Sequence, residues 1–227
     1  MYRRKSRVVK IGGIEIGGEN RISVQSMTNT PTSDRDATLK QIKRLEKAGC
    51  DIVRFTVNSM DAVRNIAYFR ENTNIPLVAD IHFDYRLAIE SAAAGISKIR
   101  INPGNIGSDD RMKSVALECA RRGIPIRIGI NSGSLEEEVL KKYGSPTPQA
   151  LFESAILSAK KLERFDFYDI VLSVKSSDVS AMIQANRLIA NNSDYPLHLG
   201  VTETGTAAHG IVKSSIGIGS LLADGIG

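Results

Sequence analysis

The sequence of 227 residues has no tryptophan, only two cysteines and no long apolar run. Cys50 and Cys119 are isolated and lack the C-x-x-C spacing of structural zinc or redox sites. H-x-x-x-H and H-E-x-x-H motifs are also missing, so the residues themselves indicate no metal site. No apolar segment reaches the roughly 18 residues that a membrane span requires, and the basic N-terminus is not followed by a signal-type apolar core. We therefore expect a cytoplasmic protein with no membrane partner.

The charge balance is only mildly basic. Thirty Lys and Arg against 25 Asp and Glu give a net charge of +5, and these residues are spread along the chain. Nucleic-acid-binding proteins usually concentrate basic residues in a patch, so the composition argues against a nucleic-acid partner. Small anionic ligands suit this charge balance better. The hydrophobic fraction of 42% is typical of a globular protein with a sizeable core.

Strand-like and helix-like segments alternate along the chain. The glycine-punctuated segment 8–24 predicts a hairpin that leads into a first strand and closes the lower end of the sheet. Amphipathic helical segments separate the strands, and several of them end at a glycine. The predicted strands cover residues 22–27, 51–56, 77–81, a segment starting at 98, 124–130, 169–174 and 197–201.

Seven strand–helix units predict an α/β fold, specifically a TIM (β/α)8-type barrel in which the eighth strand is missing at the C-terminus. Residues 1–227 then form one substrate-binding domain, with the hairpin at 1–20 and the barrel units at 21–227. An open, doubly wound parallel sheet is the alternative, because it needs no eighth strand. The chain stops where strand eight should begin, so we expect a longer natural protein.

The strand that starts at Lys98 is unusual for a core strand. Ile99 and Ile101 face one way, whereas Lys98, Arg100 and Asn102 face the other. Strands of parallel sheets are usually apolar on both faces. A cationic face at the carboxyl end of a strand needs an anionic partner, which indicates the floor of an active site.

Arginines recur at matching positions on other strands. A glycine that ends a helix precedes Arg54, Arg100 and Arg127 in turn, which predicts three arginines at nearly the same height on adjacent strands. Inward cations repel one another unless an anion binds, and guanidinium groups suit phosphate oxygens. The alternation of strands five and six places three further polar residues on the same inner face, namely Asn131, Ser173 and Lys175.

Acidic residues offer an alternative explanation of these cations. Asp80 and Glu203 are also expected at the carboxyl ends of strands, where they would form internal ion pairs with the arginines. His82 shares a strand face with Asp80 and could equally be a hydrogen-bonded wall residue. The residues alone leave both interpretations open.

Three long motifs reveal a family resemblance. Residues 80–86 read DIHFDYR, residues 100–107 read RINPGNIG and residues 127–135 read RIGINSGSL. Together they closely resemble the 4-hydroxy-3-methylbut-2-en-1-yl diphosphate synthases, which catalyse the reductive step of the methylerythritol phosphate route of isoprenoid biosynthesis. Shorter matches occur at residues 25–28, 53–54, 173–175 and 200–203.

This resemblance implies an oxidoreductase that binds 2-C-methyl-D-erythritol 2,4-cyclodiphosphate, opens its ring and removes water with two electrons. It further implies that Asp80, His82 and Glu203 line the pocket near the reacting carbons, where we hypothesise proton-transfer roles for them. The residues expected to hold the diphosphate are Arg54, Arg100, Arg127 and Lys175, with hydrogen bonds from Asn102, Asn131 and Ser173.

The resemblance also implies parts that this sequence lacks. Members of the family carry a second domain with a 4Fe-4S cluster, are reduced by ferredoxin or flavodoxin, and work as homodimers. The chain alone is therefore expected to bind substrate without turning it over. Two other hypotheses remain, namely an enzyme similar to dihydropteroate synthase and a non-catalytic anion-binding module.

Overall fold

A computed structural model describes residues 3–227 of the chain. Met1 and Tyr2, which belong to the predicted N-terminal segment, lie outside the described residues. The predicted hairpin is present as strands β1 (Val9–Ile11) and β2 (Ile14–Ile16), which pair antiparallel. Ile11 faces Ile14 across a two-residue Gly12-Gly13 turn, and Gly12 has the positive φ of +56° that glycine tolerates best.

Six parallel strands form one curled sheet whose spatial order follows the sequence. The strands are β3 (Gln25–Met27), β4 (Ile52–Thr56), β5 (Leu77–Ile81), β6 (Lys98–Ile101), β7 (Ile126–Asn131) and β8 (Ile170–Lys175). The helices are α1 (Arg35–Lys47), α2 (Met60–Glu71), α3 (Tyr85–Ala93), α4 (Pro103–Ile106), α5 (Asp109–Arg122), α6 (Glu137–Tyr143), α7 (Pro148–Glu163), α8 (Val179–Asn192) and α9 (Ala207–Ala223). None of these helices in residues 3–227 is long and apolar enough to cross a membrane.

Local signals set the start of most helices. Asp34, Ser59 and Thr147 each accept a hydrogen bond from the backbone N–H three residues later, which satisfies a donor that the first helical turn leaves free. Pro148 follows Thr147 at the first helical position, where its missing N–H costs nothing. The predicted alternation of strands and helices is therefore confirmed.

The core lies between the sheet and the helices. Alternate strand residues such as Phe55, Ile99, Ile101 and Ile128 are fully buried in one large apolar cluster with residues from the helices. Because side chains alternate along a strand, the residues between them face the inside of the curled sheet. This inner face is where the predicted polar residues lie.

The N-terminal hairpin covers the lower end of the inner face. Ile11 forms a small buried cluster with Ile52 and Val78, the inward residues near the start of β4 and β5. The apolar contacts of the inner face thus lie at this end, whereas Asp80, Asn102 and Lys175 lie toward the carboxyl ends of the strands. The hairpin was predicted in this place.

The prediction of a seventh strand at residues 197–201 is wrong, because this segment does not form a strand. This segment makes only one bridge, Leu172 to Leu197, closed by hydrogen bonds from Leu172 N to Pro196 O (3.0 Å) and from His198 N to Leu172 O (2.8 Å). No strand among the described residues supports its far side, and Pro196 has no N–H to donate. An unsupported segment of this kind does not extend its ladder.

Other elements also differ from the prediction. Strand β3 is limited to residues 25–27, and the side chains of Ile22 and Val24 before it are exposed at the open edge of the sheet. Helices α4 and α6 were not predicted. Helix α4 starts where Asn102 Oδ1 accepts from Gly104 N (3.2 Å), a local cap hidden within the expected Pro-Gly turn.

Candidate anion-binding site

Asp80 lies at the centre of the inner face. Its Oδ1 accepts a 2.9 Å hydrogen bond from Arg100 Nη1, while its Oδ2 lies 3.5 Å from Arg54 Nε and 3.6 Å from His82 Nε2. Burial alone raises the pKa of Asp80, but the contact with His82 and the charges of Arg100 and Arg54 outweigh it. The pKa of Asp80 therefore lies well below its usual range, and the carboxylate is charged.

The three arginines are not on adjacent strands, which corrects the prediction. Arg54 is on β4 and Arg100 on β6, with Asp80 of β5 between them. In the sheet register Arg100 is level with Arg127, whereas Arg54 is level with Val78, one inward position lower. The predicted strand at residues 77–81 already separates the strands of Arg54 and Arg100 in sequence, and the spatial order of the sheet keeps it between them.

Arg127 is the most deeply buried of the arginines, with 1% of its surface exposed. Its Nη1 donates to Ser173 Oγ at 2.8 Å, and Ser173 Oγ in turn donates to Ile128 O at 3.2 Å. Its Nε and Nη2 have no hydrogen-bond partner. Buried guanidinium N–H groups without acceptors are costly, so these two atoms mark where an acceptor is missing.

Charge on the inner face is strongly unbalanced. The six parallel strands carry a single acidic residue, Asp80, against five basic residues. The basic residues are Arg54, Lys98, Arg100, Arg127 and Lys175. Asp80 does pair with two arginines, as the ion-pair alternative predicted, but one carboxylate cannot neutralise even the three arginines. The excess charge favours a bound anion.

Lys175 shows this imbalance most directly. Burial, with Arg127, Arg54 and Arg100 close by, lowers the pKa of Lys175 to about 7. Its side chain lies against Gly200, where a Cβ atom would come within 3.0 Å of Lys175 Cε. A glycine at this position lets the lysine reach the carboxyl end of the strands.

Gly129 makes room for Arg100. A Cβ atom at Gly129 would lie 2.4 Å from Arg100 Nε, and Arg100 Nη2 donates to the carbonyl of the same glycine at 3.1 Å. The Nε of Arg100 has no partner. The guanidinium is therefore held by Asp80 and Gly129 while one N–H remains free for another acceptor.

The predicted amide residues lie at the rim. Asn102 is buried, and its Nδ2 donates to Ser134 Oγ at 2.7 Å. Asn131 ends β7 and precedes a short 3-10 turn over Ser132–Ser134, to which its side chain gives no cap hydrogen bond. Asn102 directly follows β6 and Asn131 is the last residue of β7, so both lie at the carboxyl ends of the strands, above the arginines, as expected for the mouth of a barrel.

Glu203 is separate from the cluster. Its side chain is exposed and forms no ion pair within residues 3–227, so the predicted pairing of Glu203 with the arginines is wrong in this structure. Its φ of +51° is in the left-handed region that non-glycine residues rarely adopt. Such strain persists mainly at functional positions, and it lies on the loop before α9. His82 is closer to the cluster and is partly exposed beside Asp80.

Sequence reasoning placed Lys98 on the cationic inner face but did not count it among the substrate-binding residues, and it assigned no role to His198. Lys98 was recognised as inward-facing, and its alternation with Arg100 was signal enough to include it. His198 has no such signal, because it lies in the segment expected to form strand seven. Burial, with Arg127 and Lys175 nearby, holds the pKa of His198 well below its usual range.

The described residues do not provide a site for a metal cluster. No group of three or more His, Cys, Asp or Glu side chains in residues 3–227 is arranged to hold a metal ion. Cys119 is buried and its pKa is raised to about 12, mainly by burial, whereas a cluster ligand must be a thiolate. Cys50 lies before β4 and is partly buried.

Comparison with solved structures supports the fold. The type I 3-dehydroquinate dehydratase of Clostridium difficile matches with a TM-score of 0.67 at 16% identity, over 92% of this chain and 84% of that one. The dihydropteroate synthase of Yersinia pestis matches with a TM-score of 0.61 at 14% identity, over 95% and 80% of the two chains. At such low identity the likeness concerns the fold alone.

Comparison of sequences is more specific. A 4-hydroxy-3-methylbut-2-en-1-yl diphosphate synthase (flavodoxin) of Clostridium perfringens is 57% identical over 100% of this chain and 65% of its own length. The chain spans 63% to 65% of the length of such curated relatives. The family model of the GcpE TIM-barrel domain matches residues 6–227. With nearly all of its sequence matched and an inner face of the expected type, the chain belongs to the GcpE TIM-barrel domain family.

Proposed function

We propose that this barrel binds 2-C-methyl-D-erythritol 2,4-cyclodiphosphate for a 4-hydroxy-3-methylbut-2-en-1-yl diphosphate synthase. The observation that carries the proposal is the set of unpartnered N–H groups on Arg100 and Arg127, buried beside a single carboxylate. A diphosphate supplies both the missing acceptors and the missing negative charge. The names of the relatives support this substrate class.

Each residue of the site has a distinct task in this proposal. The cations Arg54, Arg100, Arg127 and Lys175 hold the diphosphate, and Asn102, Asn131 and Ser173 donate further hydrogen bonds to it. Asp80 holds Arg54 and Arg100 in place, so that their guanidinium groups are already positioned when the diphosphate binds.

The proposed chemistry is reductive ring opening followed by loss of water. His82 is partly exposed next to the buried Asp80, so it can exchange a proton with a ligand at the mouth. Glu203 lies on a strained loop at the same end and is the second candidate for proton transfer. Asp80, whose carboxylate stays charged, orients His82 for this transfer.

Residues 3–227 do not fit the 4Fe-4S cluster that the family implies, because no three of their His, Cys, Asp or Glu side chains are arranged to hold a metal ion. In our proposal the cluster is held elsewhere in a complete, homodimeric and cytoplasmic enzyme, and flavodoxin is the electron donor, as the names of the relatives suggest. Ferredoxin is the other donor to test. This chain alone is then expected to bind substrate without converting it.

Isothermal titration with the cyclodiphosphate tests the binding step. We expect saturable binding to the chain, lost in Arg127→Met and retained in Arg35→Met, which removes an exposed arginine of α1. A dihydropterin in the same titration tests the dihydropteroate-synthase-like alternative. Binding of the pterin without the cyclodiphosphate contradicts the proposal.

Turnover tests the role of Glu203. In the complete enzyme, Glu203→Gln keeps the size of the side chain but replaces the carboxyl group with an amide that cannot donate or accept the proton. We expect kcat to fall with little change in KM, because the side chain is away from the cations. Unchanged turnover excludes Glu203 from proton transfer.

A further inference from the structure

Lys98 is an inward basic residue whose hydrogen-bond partner among the described residues is an uncharged amide. It is 1% exposed, and its Nζ donates to the uncharged Gln25 Oε1 at 3.1 Å. Gln25 is on β3 and Lys98 on β6, so the lysine reaches across the inside of the curled sheet. No ion pair of Lys98 is present among the described residues. A buried ammonium of this kind has no compensation for its lost hydration.

The groups around Lys98 are almost all cationic. Burial, with Arg127 and Arg54 nearby, holds the pKa of Lys98 well below its usual range. Arginine keeps its proton more strongly than lysine, so the lysine is the group that becomes neutral. The charged and titratable residues on the elements that surround it are Arg54, Asp80, Arg100, Arg127, Lys175 and His198, with Arg3 and Arg21 lining the cavity next to it.

A cavity gives Lys98 access to protons. It has a volume of about 460 Å³, and its lining includes Lys98, Gln25, Lys175 and His198. It continues to Val24, which is exposed at the edge of β3. Water can therefore deliver a proton to Nζ while an anion occupies the carboxyl end of the strands.

We propose that Lys98 is an additional positioning residue of the anion site, uncharged in the empty barrel and protonated when an anion binds above it. This inference rests on the proposed anion binding. A bound anion supplies the negative charge that the inner face lacks, so the ammonium form becomes favourable on binding. Anion binding is then coupled to proton uptake, with Lys98 and Lys175 as the two acceptors.

Sulfate is a suitable probe because it keeps two charges and exchanges no proton between about pH 6 and about pH 10. The chain carrying Lys175→Arg, in which the second lysine is permanently charged, isolates the contribution of Lys98. In this background we expect the Kd of sulfate to rise about tenfold per pH unit while one proton is taken up. Adding Lys98→Met should remove this slope.

Two further variants separate proton uptake from a structural effect. Lys98→Arg fixes the charge, so in the same background it should also remove the slope while keeping sulfate affinity at high pH. Lys43→Met, which alters an exposed lysine of α1, should leave the slope intact. A slope that persists in both Lys98 variants overturns the proposal.

NMR spectroscopy measures the protonation of Lys98 directly, without a substitution that could destabilise the fold. The 13Cε shift of Lys98, assigned by its loss in Lys98→Arg, reports protonation in the otherwise unaltered chain. At a pH below the usual lysine pKa, we expect the neutral shift without sulfate and the protonated shift with it. A protonated shift before sulfate is added contradicts the proposal while leaving anion binding intact. If sulfate and the cyclodiphosphate both fail to bind, the proposed function falls too.

Discussion

Asp80 and Arg100 are partners in the register of neighbouring strands β5 and β6, and their side chains meet at 2.9 Å between Oδ1 and Nη1. Direct register fixes this distance through the backbone, so the ion pair is built before any ligand binds. The pair is 3% and 7% exposed for Asp80 and Arg100, respectively. It therefore supports the remaining cations by holding a negative charge in a fixed position among them.

Replacement of Asp80 tests this support. We expect Asp80→Asn to lower the free energy of unfolding by about 3 kcal/mol, because it leaves Arg54 and Arg100 buried without their counter-charge. Chemical denaturation measures the change. The exposed Asp61, which pairs with Arg64 on α2, is the matched control, and Asp61→Asn should have little effect. Equal effects of the two variants contradict this role of Asp80.

The same residue predicts an acid limit of stability. The pKa of Asp80 in the folded protein lies below its unfolded value, so its contribution is present at neutral pH and disappears as pH falls through the folded pKa. We expect the stability difference between the unaltered chain and Asp80→Asn to shrink only below about pH 4. Denaturation curves at several acidic pH values measure it. A stability difference that already shrinks near neutral pH excludes Asp80 as the source of the acid limit.

Arg127 predicts opposite effects on stability and on binding. Arg127→Met removes a buried cation with two unpartnered N–H groups, so we expect the free energy of unfolding to rise by about 1 kcal/mol. Binding of pyrophosphate should be lost in the same variant. Denaturation and calorimetry measure the two effects. Loss of stability together with intact binding identifies Arg127 as a structural residue.

Replacement of Gly129 tests whether anion binding requires the close approach of the β7 backbone to Arg100. In Gly129→Ala the added methyl group displaces the end of the guanidinium, and we expect about tenfold weaker pyrophosphate binding from the loss of one charge-assisted hydrogen bond. Gly133→Ala, at a position with open space around it, is the control. Titration calorimetry compares the two. Equal affinities show that the close approach has no role in binding.

Lys175 predicts a stability change at the other end of the pH scale. Its pKa is lowered to about 7, so between about pH 7 and its usual value the unfolded chain binds a proton that the folded chain does not. The folded state therefore loses stability as pH falls through this window. We expect Lys175→Met to raise the melting temperature more at pH 7 than at pH 10. Thermal scans measure this, and a pH-independent change excludes the lysine as its source.

Much of the fold was accessible from the sequence because its signals are local. Glycine, Asp, Ser and Thr at the ends of helical segments located most helices, and the two-residue period of strands assigned Arg100, Asn102 and Arg127 to one face. The family motifs matched the same segments. Helix α4 was missed because its four residues include the Pro103-Gly104 pair, and α6 was missed because it is only seven residues long and lies between two segments that contain glycine and serine.

Relations across the inner face depended on tertiary structure. The sequence by itself determined that the strands carry inward arginines, since alternation follows from backbone geometry alone. Only the folded chain decided that Asp80 pairs with both Arg54 and Arg100, that Lys98 reaches Gln25, and that Glu203 stays away from the cations. These contacts are set by the order, register and curvature of strands far apart in sequence, which no local pattern encodes.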